Sequence, residues 1–449
     1  MSRNNTLIIE SAIDSLYSNL FSYKKILVGF SGGLDSTVLL HSIFSYIKKR
    51  EIDVNLRAIH INHNLDPSSD EWQKHCEIFC KNLNIDISCY KSNLHKDKGN
   101  LENLAREFRY DCFKKEMIDF DNDSLSTVLL LAHHANDQAE TLLMRLFRGS
   151  GTKGVASIPK KRELDNSKYY LYRPFLDLSK DLLVEYSREN NLDFIDDPSN
   201  KDISYDRNFI RSKLIPIILK RWPNYNKNFL RFVSNSRNDM DLLNELALID
   251  LKTLEPSKEL FGYSLNLKLL KILSSKRRSN VIRYWLCQFL KYQPTHKQLM
   301  NIDELIDMES DACELFIGSC RLNKYKDRLY LNNHLQLAEL KSFLATKNKW
   351  KLTDKFSLPY FGELIFIPKD LNQKKLILSV SSRIPGQKYS VRGMNRSINK
   401  LFNESQIPSW FRDFYPIIYN GNDIIAVPNI LVADNTDNLS KDQFSWRTP

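Results

Sequence analysis

The chain has 449 residues, too many for one hydrophobic core, and two or three domains are expected. Its 65 Lys and Arg outweigh 54 Asp and Glu, a formal net charge of +11, which suits a polyanionic partner, nucleic acid before membrane. The opening residues lack a continuous apolar core and no later stretch approaches a membrane span, so neither a signal peptide nor a membrane anchor is expected. The cysteines number seven, an odd count, and are scattered without C-x-x-C spacing. Reduced thiols in a cytoplasmic protein are the simple reading, with no metal or iron–sulfur site.

The first part of the chain alternates short apolar runs with amphipathic stretches. Lys25 to Phe30 reads as a strand, followed by Ser31-Gly32-Gly33-Leu34-Asp35-Ser36 and a helix opening at Thr37-Val38-Leu39-Leu40. Two glycines allow a sharp turn and a close approach to a ligand, and the amides at the helix start then face an anion. The loop lacks the lysine of G-x-x-x-x-G-K-[ST], so the common phosphate loop is excluded. Ser31 and Ser36 supply hydroxyls. Asp35 would repel a phosphate, and a Mg2+ ion between them explains a carboxylate there. The strand–loop–helix resembles the pyrophosphate-binding loop of the ATP pyrophosphatases.

Leu56 to Ile61 reads as a second strand. A polar turn from Asp66 to Asp70 then opens a helix through Trp72, Cys76 and Phe79. Ile85 to Tyr90 is a third strand, and Leu101, Leu104, Ala105, Phe108 and Cys112 line one face of a long helix. Thr127 to Ala132 is the most apolar strand, and a helix from Ala135 to Phe147 follows it. Repeated strand–helix units predict an α/β domain with a doubly wound parallel sheet, and ligands bind beyond the carboxyl ends of such strands.

His133-His134-Ala135-Asn136-Asp137-Gln138-Ala139-Glu140 joins that buried strand to its helix. Asp137 and Glu140, three apart, share a helix face, where carboxylates cap and complement the dipole. H-x-x-E-H and H-E-x-x-H are both absent, which argues against zinc. Gly149-Ser150-Gly151-Thr152-Lys153-Gly154 matches G-x-G-x-x-G but follows a helix. The dinucleotide reading fails on that context, and a substrate-facing loop is expected.

From Arg207 to Arg237 there are eight basic and no acidic residues, interleaved with Phe209, Trp222, Tyr225, Phe229 and Phe232. A linker helix with an RNA-facing stripe and a helix with inward aromatics and solvated charges fit equally well. Met240 to Leu340 reads as helical, with a basic helix opening at Lys276-Arg277-Arg278. Short strands dominate from Ala345 on, among them Leu376 to Val380 and Ile424 to Val427, and Lys388, Arg392, Arg396 and Lys400 form a second basic stretch. The polar tail from Asn435 to Pro449 reads as poorly ordered. Four segments are thus expected: a catalytic domain over 1–216, a basic linker helix over 217–239, a helical domain over 240–344 and a small α+β domain over 345–449.

The motifs together carry a more specific resemblance. Ser31–Ser36, His133–Thr141, Arg145 to Gly151, Asn103 to Tyr110, Tyr172-Arg173-Pro174-Phe175-Leu176, Asp196-Asp197-Pro198-Ser199-Asn200 and Arg207 to Arg211 resemble the tRNA(Ile)-lysidine synthases in order and spacing. Trp410 to Pro416 and Ala426-Val427-Pro428 resemble that family's last domain more weakly. Asn136 stands where many relatives carry an acid, which argues against a metal role at that position.

The resemblance implies an ATP-dependent ligase that joins free L-lysine to the wobble cytidine of tRNA(Ile) with a CAU anticodon, through an adenylated base. It implies that Ser31, Gly32, Gly33, Leu34, Asp35 and Ser36 hold the β,γ-phosphates of ATP. Asp35 and Asp137 would place Mg2+, or Asp137 would take a proton from the lysine amine. Arg106 and Arg109 would stabilise the adenylate. Arg207 and Arg211 would do the same or grip the tRNA backbone. His133, His134, Glu140, Gly149 and Gly151 would lie near the adenylate. Asp196 and Asp197 would receive the lysine α-ammonium or form a turn and cap. A homodimer stays open. The nearest alternative is a tRNA 2-thiolation enzyme, which needs catalytic cysteines that none of these motifs contains.

Overall fold

The computed structural model describes residues 6–14, 23–93, 101–121, 127–164, 169–290, 292–309, 313–352, 355–369, 373, 376–391, 393–434, 439–440 and 443–448. Arg392 and part of the polar tail lie outside them. The chain divides into two units, Met1–Asp241 and Leu242–Pro449.

The first unit is built on a six-stranded sheet. Its strands are β1 (Lys25–Gly29), β2 (Asn55–Asn62), β3 (Asp86–Lys91), β4 (Thr127–Leu130), β5 (Lys161–Glu163) and β6 (Tyr170–Tyr172), in the order β3-β2-β1-β4-β6-β5. All pairs are parallel except β5 with β6. Its helices include α1 (Leu34–Lys49), α2 (Ser69–Asn82), α3 (Leu101–Phe120), α4 (Ala135–Phe147) and α5 (Lys180–Glu189).

Alternation along the central strands sorts the core into two layers. Ile26 and Val28 of β1, with Val128 and Leu130 of β4, join one buried cluster that includes Val38 and Leu39 of α1 and Leu183 of α5. Leu27, Ile59 and Leu129 point to the other face, against Phe113 and Met117 of α3. Both faces are covered, so the strands read as unbroken apolar runs. Glu116 of α3 is buried, and pairs with Arg57 at 3.1 Å while accepting from Ser88 and Tyr90 at 2.8 Å, which pins α3 to β2 and β3.

The strand order places the site. From β1 the chain winds outward through β2 and β3, then returns to lay β4 on the other side of β1. The loops leaving β1 and β4 therefore diverge at the carboxyl edge, where doubly wound sheets open a crevice. These are the Ser31–Ser36 loop and His133-His134.

A helix, α6 (Tyr225–Thr253), carries the chain into the second unit. There the helices α7 (Ser275–Leu286) and α8 (His296–Asp307) pack with a five-stranded antiparallel sheet, which the helical reading of 240–344 did not include. The strands are β7 (Ser257–Glu259), β8 (Gly262–Asn266), β9 (Glu314–Ile317), β10 (Cys320–Tyr325) and β11 (Arg328–Asn333). At three to six residues each, they are too short to show a period of two.

The tail is corrected as well. Phe444–Arg447 is a strand that pairs antiparallel with Glu363–Phe366. Phe444 and Trp446 alternate inward and are buried, and the Trp446 indole donates to the Phe361 carbonyl at 2.7 Å. Trp446→Ala should destabilise the second unit by about 3–5 kcal/mol, read by urea unfolding. An unchanged midpoint would mean that the strand is dispensable.

Candidate active site

The loop after β1 is shaped by its glycines and braced from outside. Gly32 has φ +81°, and a Cβ there would lie 2.6 Å from the Ile195 side chain and 2.9 Å from Cys76 Sγ. Only glycine fits. Ile195 donates its N–H to the Gly32 carbonyl at 2.9 Å and bridges Gly33 as a short parallel strand. The Ser31 and Ser36 hydroxyls lie 3.0 Å apart, and Ser36 Oγ donates to the Gly33 carbonyl at 3.0 Å. Gly33 precedes α1 without a side-chain cap, so the first amides of a 16-residue helix face the crevice.

Across the crevice, His134 joins both loops. Its Nε2 lies 3.5 Å from Asp35 Oδ2 and 3.6 Å from Asp137 Oδ2. The His134 backbone N–H also donates to Asp137 Oδ2, at 2.9 Å. Asp137 Oδ1 accepts from Arg207 at 2.7 Å. The same guanidinium donates through Nε to Glu140 at 2.7 Å, and Arg211 reaches Glu140 at 2.6 and 2.9 Å. Glu140 is fully buried, so its charge is tolerable only because two forks satisfy it. Asp35, His134, Asp137, Arg207, Glu140 and Arg211 thus form one continuous charged chain.

The titration behaviour follows from this geometry. Burial pulls His134 down, but its hydrogen bond to Asp35 and the charges of Asp137 and Asp35 outweigh it, so its pKa is raised. Burial works against ionised Asp137, but His134 and Arg207 overcome it and hold the carboxyl below its usual range. His133 goes the other way. Burial lowers it to about 3, despite Asp137, and Arg173 donates to its Nδ1 at 3.2 Å. His133 is therefore neutral, with the proton on Nε2.

The remaining candidates separate. Arg106 and Arg109 sit on α3, where Arg106 covers the Tyr110 ring and Arg109 donates to His63 Nε2 at 3.1 Å. Neither has a carboxylate partner among the described residues. Gly149 and Gly151 lie past the far end of α4, about 18 Å along the helix axis from Asp137, and are not brought to the cluster. Asp197 caps a turn, accepting from the Ser199 N–H at 2.8 Å, and Asp196 is exposed beside Lys201. Asn136 accepts from the Lys180 N–H at 3.2 Å and from Asn226 at 3.5 Å, so it ties α4 to α5 and α6.

Arg173, fully buried against His133 and the Pro159 carbonyl, and Ile195 behind the loop are site residues that no motif chemistry singled out. Burial pushes Cys80 and Cys89 up to about 12, and Cys76 packs under Gly32 as an apolar group.

Among the described residues no group of three or more His, Cys, Asp or Glu has the arrangement of a metal site. Mg2+ needs less, one or two carboxylates beside substrate phosphates. Asp35 fits, because its Oδ1 is buried without a hydrogen-bond partner. Asp137 fits only if Arg207 withdraws, since both of its oxygens are engaged.

Two predictions test the chain of charges. Glu140→Gln should cost roughly 1–3 kcal/mol in urea unfolding, whereas Asp35→Asn should leave stability within about 0.5 kcal/mol. Equal costs would contradict the assignment. The raised pKa of His134 means its contribution is complete below its ordinary value near 6.5 and is lost as pH rises through the folded value. His134→Gln should therefore flatten the loss of stability above pH ~6.5. A slope equal to the parent's would show that His134 does not titrate there.

Comparison with known proteins identifies the family. A PP-loop domain matches residues 5–218, a TilS substrate binding domain 265–330 and a TilS substrate C-terminal domain 378–446. The tRNA(Ile)-lysidine synthase of Yersinia pseudotuberculosis serotype O:1b is 31% identical over 440 residues, covering 94% of each chain. That of Legionella pneumophila strain Paris is 32% identical over 425 residues, covering 93% of this chain and 94% of its own. That of Proteus mirabilis is 30% identical over 432 residues, covering 94% of each. With relatives matched along nearly their whole length and a nucleotide loop set against paired carboxylates, the chain belongs to the tRNA(Ile)-lysidine synthase family.

Proposed function

We propose that the chain uses ATP to activate the wobble cytidine of tRNA(Ile) with a CAU anticodon and joins the ε-amine of free L-lysine to its 2-carbon. The observation that carries this reading is the meeting of an uncapped pyrophosphate loop with Asp35, His134, Asp137 and Arg207 at adjacent strand ends. The cytosine 2-oxo oxygen attacks the α-phosphorus and pyrophosphate leaves. The lysine amine then attacks the 2-carbon and AMP leaves.

Each part of the cluster answers a demand of this chemistry. Charge grows on the β,γ-phosphates as pyrophosphate departs, and the first amides of α1 with the Ser31 and Ser36 hydroxyls stabilise it. Arg207, drawn from Asp137, meets the α-phosphate. Mg2+ arriving with ATP would sit against Asp35 and neutralise phosphate charge. His134 fixes the spacing of the two carboxylates. An amine of pKa about 10.4 must shed a proton before it attacks. Asp137 is a weak base at its lowered pKa and serves better to hold the ammonium. Arg106 and Arg109, exposed on α3, suit the adenylate or a nucleotide phosphate. The second unit reads tRNA shape, because a site that tests one cytosine cannot tell one tRNA from another.

Thiolation requires an ionisable thiol at the site, and the buried, protonated thiols disfavour it. Pyrophosphate release in single-turnover assays should require a transcript with C at the wobble position. Asp137→Asn should slow it by more than about 100-fold while tRNA affinity stays within about twofold. Normal release from a transcript with U at that position would contradict the reading.

A further inference from the structure

The basic stretch from Arg207 to Arg237 resolves into two faces. Arg207 and Arg211 turn inward to Asp137 and Glu140, and Arg237 donates to the Ala156 and Ile158 carbonyls. Tyr225 is buried and Phe229 packs against it, with ring centroids 5.7 Å apart. The exposed side chains of the stretch are different. Phe209, Trp222 and Phe232 are 49, 60 and 47% exposed, large values for side chains that normally seek cover. Lys213, Lys220, Arg221, Lys227 and Arg231 are exposed in the same stretch. None of the five has a carboxylate partner among the described residues.

The backbone accounts for the sorting. Residues 206–221 form one helical run with a wide turn at Ile210–Leu214, where the Ile215 N–H reaches back five residues to the Ile210 carbonyl. Pro216, which has no N–H to donate, follows directly. Arg207, Arg211 and the buried Ile215 fall on the inner side, and Phe209, Lys213 and the exposed Ile217 fall on the outer. Phe209 lies only two residues from Arg207, so the outer face borders the charged cluster across one helix width, about 10 Å.

We propose that these exposed rings and cations together form a stacking surface for unpaired bases of the tRNA next to the base being modified. The inference rests on the function proposed above. An enzyme that acts on one base of a loop must take that base out of its stack, and its neighbours lose a stacking partner. Flat aromatic rings replace it, and unpaired cations follow the phosphates between the bases. A partner protein would want an apolar face with few charges, whereas five unpaired cations with no acid among them suit a polyanion. The three exposed rings and the cations together favour single-stranded RNA.

The test is a titration of the full chain with a tRNA(Ile) CAU transcript at several salt concentrations. Phe209→Ala and Trp222→Ala should each raise Kd by about tenfold without changing the salt slope, because stacking releases no counterions. Trp222→Tyr should restore most of the affinity. Lys220→Ala should lower the slope by about 0.7. Wild-type affinity in the doubly substituted Phe209→Ala, Trp222→Ala protein would overturn the proposal. So would self-association of the RNA-free parent that this double variant abolishes, which would make the face an interface between copies. A parent that binds the transcript but transfers no lysine would refute the function and leave this surface testable by binding alone.

Discussion

One buried imidazole holds together what the chain order separates. Asp35 follows the first strand of the sheet and Asp137 follows the fourth, and His134 Nε2 is within 3.6 Å of both. In a low-dielectric crevice two carboxylates at such separation repel unless a cation lies between them. The raised pKa of His134 and the lowered one of Asp137 are two views of that single arrangement. The doubly wound topology makes it possible, because β1 and β4 are neighbours in the sheet and their loops open on the same crevice. The site depends on both, the topology for position and the imidazole for charge balance.

The arginines extend this balance. Arg207 spans Asp137 and Glu140 with one planar fork, a geometry that lysine could not reproduce. The fork neutralises both carboxylates, and a nucleotide phosphate would compete for it. Glu140 accepts from both arginines, and Arg211 holds it independently of Arg207.

How much of this was legible in the sequence depends on range. The strand–loop–helix at Ser31–Ser36 and the cluster from His133 to Glu140 are local patterns, and they specify loop conformation and helix face directly. The pairing of Arg207 and Arg211 with residues some seventy positions earlier leaves no local period, so the basic stretch alone could not say which of its cations face inward. The aromatics were ambiguous for the same reason, and burial of Tyr225 beside exposure of Trp222 resolved them. Ile195 braces Gly32 through backbone atoms, which no side-chain motif encodes. The three-residue strands β5 and β6 and the tail strand at Phe444 are too short for periodicity to register, and the tail strand's partner is distant in the chain.

The proposed reaction joins lysine to tRNA in this one crevice. The direct measurement is transfer of radiolabelled lysine to a tRNA(Ile) CAU transcript, with AMP quantified in the same reaction. Label should enter the tRNA only when ATP is present, with one AMP formed per lysine transferred. Formation of AMP with the transcript but no label in the tRNA would contradict it, leaving base activation intact and assigning a different nucleophile to the site.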